Sequence, residues 1–253
     1  MKKLLYAFTI LTTLFTTSCG EHKQTPEEEA KMALIKKQMV ATYDFKMDKD
    51  EKTTWADAQK LPPIIFSNKI TLKDGQTSEP GLSFLLNIRG KTVLASCKHI
   101  LGTAGGFKEE IDGKDIKQIL KSWSFKPLEG KGYIETTGKS IEESNNDILF
   151  LDIGKLDTTK YTVLNSTRKL KKKKKYYLIG TDFLQMQMKI PFEYLGYQEG
   201  FFLFKNTTDA MLMGNSGGPV ISENGNVVGT LKGSGKTEKG EEIIFVQEIP
   251  QIY

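Results

Sequence analysis

The chain has 253 residues, 38% hydrophobic and 26% charged, which allows a sizeable core and excludes wholesale disorder. Its formal net charge is +5, but Arg168, Lys169 and Lys171 to Lys175 alone hold seven positive charges. The basicity therefore belongs to one segment, and with only two cysteines, Cys19 and Cys97, a disulfide-dense scaffold is excluded.

Met1-Lys2-Lys3 gives a positive start, and Leu4 to Phe15 is an apolar stretch too short to span a bilayer. Thr16-Thr17-Ser18-Cys19-Gly20 follows with small residues ending in a cysteine. This resembles a bacterial lipoprotein signal, in which the cysteine is lipidated and becomes the new N-terminus. Thr16 departs from that pattern, which prefers an aliphatic residue there. The expectation is a signal peptide over residues 1–19, a lipid on Cys19 and a membrane-anchored protein of the bacterial cell envelope, with plain secretion as the alternative. Cys97 then has no partner within the mature chain. It reads as a small buried apolar residue rather than a reactive thiol.

Residues 20–80 read as a tether and N-terminal extension. Thr25 is placed to cap a helix with Pro26 in its first turn and Glu27 to Glu29 near the positive end of the dipole. Met32, Ile35, Met39 and Tyr43 recur at helical spacing, which predicts an amphipathic helix to about Phe45. Asp48 to Lys52 and the stretch through Pro62-Pro63 read as linker.

From about Ile64 the texture changes to short β-prone runs separated by turn residues. Leu82 to Ile88, Thr92 to Ala95, Ile148 to Ile153, Tyr176 to Ile179, Phe201 to Phe204, Val220-Ile221, Val227 to Leu231 and Ile243 to Val246 are predicted strands. Many short strands with turns such as Glu223-Asn224-Gly225-Asn226 argue for an all-β barrel or sandwich. The lysine run, just ahead of Tyr176, reads as a solvated loop leading into a strand. Contact with an anionic surface such as lipid headgroups is its functional alternative. No nucleic-acid-binding motif accompanies the charge, so no nucleic-acid partner is expected.

The chemistry concentrates in three places. Gly214-Asn215-Ser216-Gly217-Gly218-Pro219 sets a serine among glycines, which let the backbone turn tightly and approach a substrate with no side chain in the way. His99 ends the apolar run Thr92 to His99, whereas the other histidine, His22, lies in the charged tether. Asp147 precedes Ile148-Leu149-Phe150-Leu151, and Asp152 within that run is a rival carboxylate. These residues resemble the chymotrypsin-like (trypsin-like) serine peptidases of bacterial type, whose motifs read Gly-Asp/Asn-Ser-Gly-Gly-Pro, Thr-Ala-Ala-His and Asp-Ile-Ala-Leu-Leu. Ser96 and Cys97 are small replacements in the histidine motif, and Leu149 is a bulkier one after the aspartate. Lys98 is the marked departure, because a charge beside the histidine must point to solvent or disfavour the imidazolium. The order His99, Asp147, Ser216 matches this family and not the other two triad orders.

The resemblance implies an all-β domain over residues 81–253 built of two six-stranded antiparallel barrels. It implies His99 as base, Asp147 as the residue that orients it, and Ser216 as nucleophile, with the N–H groups of Gly214 and Ser216 forming an oxyanion hole. Counting back without gaps, Ala210 falls at the base of the primary specificity pocket, with Lys232 to Ser234 on its wall. A one-residue slip puts Asp209 there instead. Asn215 replaces the acid that many members pair with a new N-terminal amine, which argues against activation of that kind. The implied function is a serine endopeptidase acting on protein or peptide substrates, with no cofactor and no metal. A catalytically weak or inactive binding module of the same fold, anchored at the cell envelope, is the alternative.

Overall fold

The apolar runs become strands that bury either both faces, as in Ile148–Asp152, or alternate residues, as in Phe201–Asn206. The computed structural model describes residues 63–250 except 112–114, 129–131, 144–145, 173, 182–185, 209, 211 and 238–240. The expected signal peptide, Cys19, the helix from Thr25 to about Phe45 and the rival pocket residue Asp209 lie outside the described residues.

In chain order the strands of the first half are β1 (Ile65–Leu72), β2 (Thr77–Ser78), β3 (Leu82–Ile88), β4 (Lys91–Cys97), β5 (Leu120–Pro127), β6 (Ile134–Glu135), β7 (Ser140–Glu143), β8 (Ile148–Asp152) and β9 (Val163–Asn165). They form a nine-stranded sheet in the order β6-β5-β1-β3-β4-β8-β7, with β2 on β1 and β9 parallel to β3. The second half contributes β10 (Lys175–Thr181), β11 (Gln187–Gln198), β12 (Phe201–Asn206), β13 (Pro219–Ser222), β14 (Val227–Lys236) and β15 (Glu242–Glu248). These close into a six-stranded antiparallel barrel, β10-β11-β12-β15-β14-β13.

The all-β double-sheet architecture expected from the sequence is present, and all eight strands read from the sequence are found. The first sheet differs in detail from a six-stranded ring. Its path ends in the short strands β6 and β7, which do not pair with each other among the described residues. It also begins before residue 81, since β1 pairs with β3 and β5.

Three apolar clusters explain the strand patterns. In β8, Leu149 and Leu151 face the interior of the first sheet with Leu94, Trp123 and Phe125. Ile148 and Phe150 face the opposite way, into a seam shared with Ile179, Ile221 and Val227 of the second half. Both faces are buried, so β8 reads as a continuous apolar run rather than an alternation. β10 repeats the device: Tyr176 and Leu178 fill the barrel with Phe192 and Phe204, while Ile179 joins the seam. Packing of the two halves through this seam fixes the segments that emerge from its edges.

The basic segment connects β9 to β10 at the surface. Arg168 is tied to Glu248 at 2.9 Å, and Lys174 lies 4.0 Å from Glu223. This is the solvated connector expected from the sequence.

Candidate active site

β4 and β8 pair antiparallel with Cys97 opposite Ile148, so the residues just past one strand and just before the other meet. The Lys98 N–H donates to the Asp147 carbonyl at 3.2 Å and extends the ladder by one step. His99 then opens a 3₁₀ turn, His99–Leu101, anchored by the buried Ile100 and Leu101. Asp147 reaches it twice: Oδ1 accepts from the His99 backbone N–H at 2.9 Å, and Oδ2 lies 2.6 Å from Nδ1. A carboxylate only accepts, so Nδ1 carries the proton and Nε2 is left as the acceptor. The side chains are 23% and 10% exposed, which leaves the imidazole accessible and the carboxylate largely shielded. Asp152, the rival carboxylate, points elsewhere and pairs with Lys91 at 3.4 Å.

Ser216 sits in the turn that leads into β13, and the turn is docked on the first sheet. Its carbonyl accepts from the Leu82 N–H at 2.8 Å. Gly217 follows with φ +83°, and an added Cβ there would collide with the Leu82 carbonyl and stand 2.7 Å from Ser96 Oγ. The Gly217 N–H and Gly218 C=O both bond Leu231 at 2.9 Å, which continues the β13–β14 ladder. Gly214, at φ +84°, shapes the other side of the turn. Neither the Gly214 nor the Ser216 N–H has a backbone acceptor among the described residues. Two such donors beside a serine are what an oxyanion site requires.

The turn therefore stands at the same seam as the His99–Asp147 pair, but Ser216 Oγ makes no hydrogen bond to His99 among the described residues. His99 Nε2 instead lies 3.6 Å from Cys97 Sγ. Cys97 is buried, and that burial first, then the charge of Asp147, pushes its thiol well above the ordinary value. The sequence expectation of an inert buried cysteine fits this environment.

Asn215 is fully buried and clamps the end of β10: its Oδ1 accepts from the Thr181 N–H at 2.6 Å, and its Nδ2 donates to the Thr181 C=O at 3.1 Å. An amide matches both backbone groups, whereas a carboxylate would match only the first. The three residues expected at the specificity pocket have different surroundings. Ala210 packs in the barrel core, its carbonyl bonded by Asn206 Nδ2 at 3.0 Å. Ser234 is exposed on β14 opposite Ile244. Lys232 sits at a bulge between Leu231 and Gly233, with its ammonium 4.0 Å from Asp147 Oδ2 and 4.8 Å over the Phe201 ring.

Two residues around the pair carry no motif. Gln247, buried on β15, accepts from the Asp147 N–H at 3.4 Å and donates to the Gly200 C=O at 3.0 Å. Phe201 lies under Lys232. Both border a cavity of about 410 Å³ on the Asp147 side, which Lys98 and Glu199 also line.

The closed barrel beside a second sheet, with the histidine and serine segments at their seam, is decisive. The fold is that of the chymotrypsin-like serine peptidases. The Rv3671c protease from M. tuberculosis, in its active form, superposes with a TM-score of 0.50 at 15% identity, covering 76% of this chain and 78% of that one. The HtrA-type protease AlgW with tripeptide gives 0.51 at 18% identity, covering 76% and 59%. No protein-family model and no curated protein matches the chain, so the likeness is one of fold.

Proposed function

We propose that this protein is a serine endopeptidase that hydrolyses peptide bonds in protein or peptide substrates through an acyl-enzyme. His99 Nε2 takes the Ser216 proton as Oγ attacks the carbonyl, Asp147 stabilises the imidazolium that forms, and the N–H groups of Gly214 and Ser216 hold the oxyanion. The observation that carries this reading is the double hold of Asp147 on His99, which leaves Nε2 as acceptor at the seam that also presents Ser216. Ala210 is buried in the barrel core, so the side-chain preference of the substrate pocket is left to cleavage of a mixed peptide library, which reads it directly. A fluorophosphonate probe should label the parent and not Ser216→Ala. A folded parent that stays unlabelled refutes the proposal.

One observation favours a second reading, a binding module of the same fold: His99 Nε2 faces Cys97 rather than Ser216. The same labelling experiment separates the two. The proposal also places the chain in the bacterial cell envelope through a lipid on Cys19. Metabolic labelling with an alkyne fatty acid should mark the parent, and retention of label by Cys19→Ala would exclude that site.

A further inference from the structure

We infer that Lys232 is a positioning residue that acts on the catalytic pair through Asp147, and that it restrains the pair. The inference rests on the peptidase reading and concerns how strong a base His99 is allowed to be. Asp147 Oδ2 is shared: His99 Nδ1 lies 2.6 Å from it on one side and the Lys232 ammonium 4.0 Å from it on the other. When His99 accepts the Ser216 proton it becomes a cation. That cation gains from the carboxylate and loses from any ammonium placed on the same oxygen. Lys232 therefore offsets part of the stabilisation that Asp147 supplies to the transition state.

Three features hold the lysine in this position. The β14 bulge between Leu231 and Gly233 adds one residue to the strand and redirects its side chain. The Phe201 ring lies 4.8 Å from the ammonium, and that ring is itself packed edge-on against Phe245. The cavity of about 410 Å³ beside Asp147 gives the side chain room to approach the carboxylate without being sealed from water. With its side chain 42% exposed, solvent screens the charge, so the effect is modest: about three- to tenfold in acylation rate.

Lys232→Met keeps the apolar stem over Phe201 and removes the charge, Lys232→Gln is a polar second choice, and Lys232→Arg keeps the charge. The rate of single-turnover acylation by a fluorophosphonate is measured for each at low and high salt, with Ser216→Ala as control. Lys232→Met and Lys232→Gln should acylate about three- to tenfold faster than the parent, and Lys232→Arg should restore the parent's slower rate. Added salt should speed the parent and not the uncharged variants, because it screens only an ammonium that is present. Equal or slower acylation by both uncharged variants overturns the inference. If neither parent nor variants react more than Ser216→Ala, the peptidase reading fails, and the proton resonance shared by His99 and Asp147 still decides the role of Lys232. A downfield move of that resonance in Lys232→Met supports a restraining charge on the pair, and an unmoved resonance rules it out.

Discussion

Asp147 grips His99 at backbone and ring together, with Oδ1 at 2.9 Å from the amide nitrogen and Oδ2 at 2.6 Å from Nδ1. The first contact fixes where the 3₁₀ turn begins, and the second fixes how the imidazole lies within it. Asp147→Asn keeps the shape but can present an amide N–H to Nδ1, which reverses the tautomer and removes the acceptor at Nε2. If the chain is a peptidase, kcat falls by about 10⁴-fold, the scale known for this change in such triads. Acylation kinetics check this, with a circular dichroism melt to show that the fold persists.

Asn215 is matched to Thr181 in both donor and acceptor. Asn215→Asp keeps the size and turns a donor toward the Thr181 carbonyl into a carboxylate oxygen facing it. Leaving that buried carbonyl unsatisfied costs about 1–3 kcal/mol, with more for the buried charge. Urea denaturation should show the loss directly. A variant as stable as the parent would remove Asn215 from the clamp.

Gly217 combines a left-handed backbone with a close approach to Leu82 and Ser96. Gly217→Ala therefore suffers both a conformational and a steric penalty, together about 2–4 kcal/mol. The collision lifts the Ser216 turn off the first sheet, so fluorophosphonate labelling should fall further than stability alone accounts for. Comparing the labelling rate with the denaturation midpoint tests that coupling.

Cys97 should be silent toward iodoacetamide in the folded protein and react once the chain is unfolded in guanidinium, because the thiol is buried and held protonated. The thiol's folded value lies above its unfolded one, so its contribution to stability is present below the unfolded value. It is lost as pH rises past about 9, where only the unfolded thiol ionises. Cys97→Ala should flatten that part of the stability profile.

The runs that cross a seam were the most legible in the sequence, since β3, β8 and β10 bury both faces and stand out as apolar segments. β11 was hidden because only one face of its second half is covered and Pro191 and Gly196 interrupt the pattern. β1 and β5 were hidden by polar and basic residues between their buried positions, such as the half-buried Lys69 and the exposed Lys121. Within the site, His99, Asp147 and Ser216 were singled out from local motifs and chain order, and the structure pairs the first two. Gln247 and Phe201 were not, because each is an ordinary strand residue whose place beside Asp147 depends on barrel closure. Lys232 was placed on a pocket wall by the family resemblance, and its approach to Asp147 was not legible because it depends on a bulge in β14 that no local motif announces.

The central claim is that Ser216 is the nucleophile of a working serine peptidase. Intact-mass measurement after fluorophosphonate treatment, followed by peptide mapping, tests it most directly. One adduct per chain is expected, located on Ser216 and absent from Ser216→Ala and from the unfolded parent. A folded parent carrying no adduct, or an adduct on another residue, contradicts it.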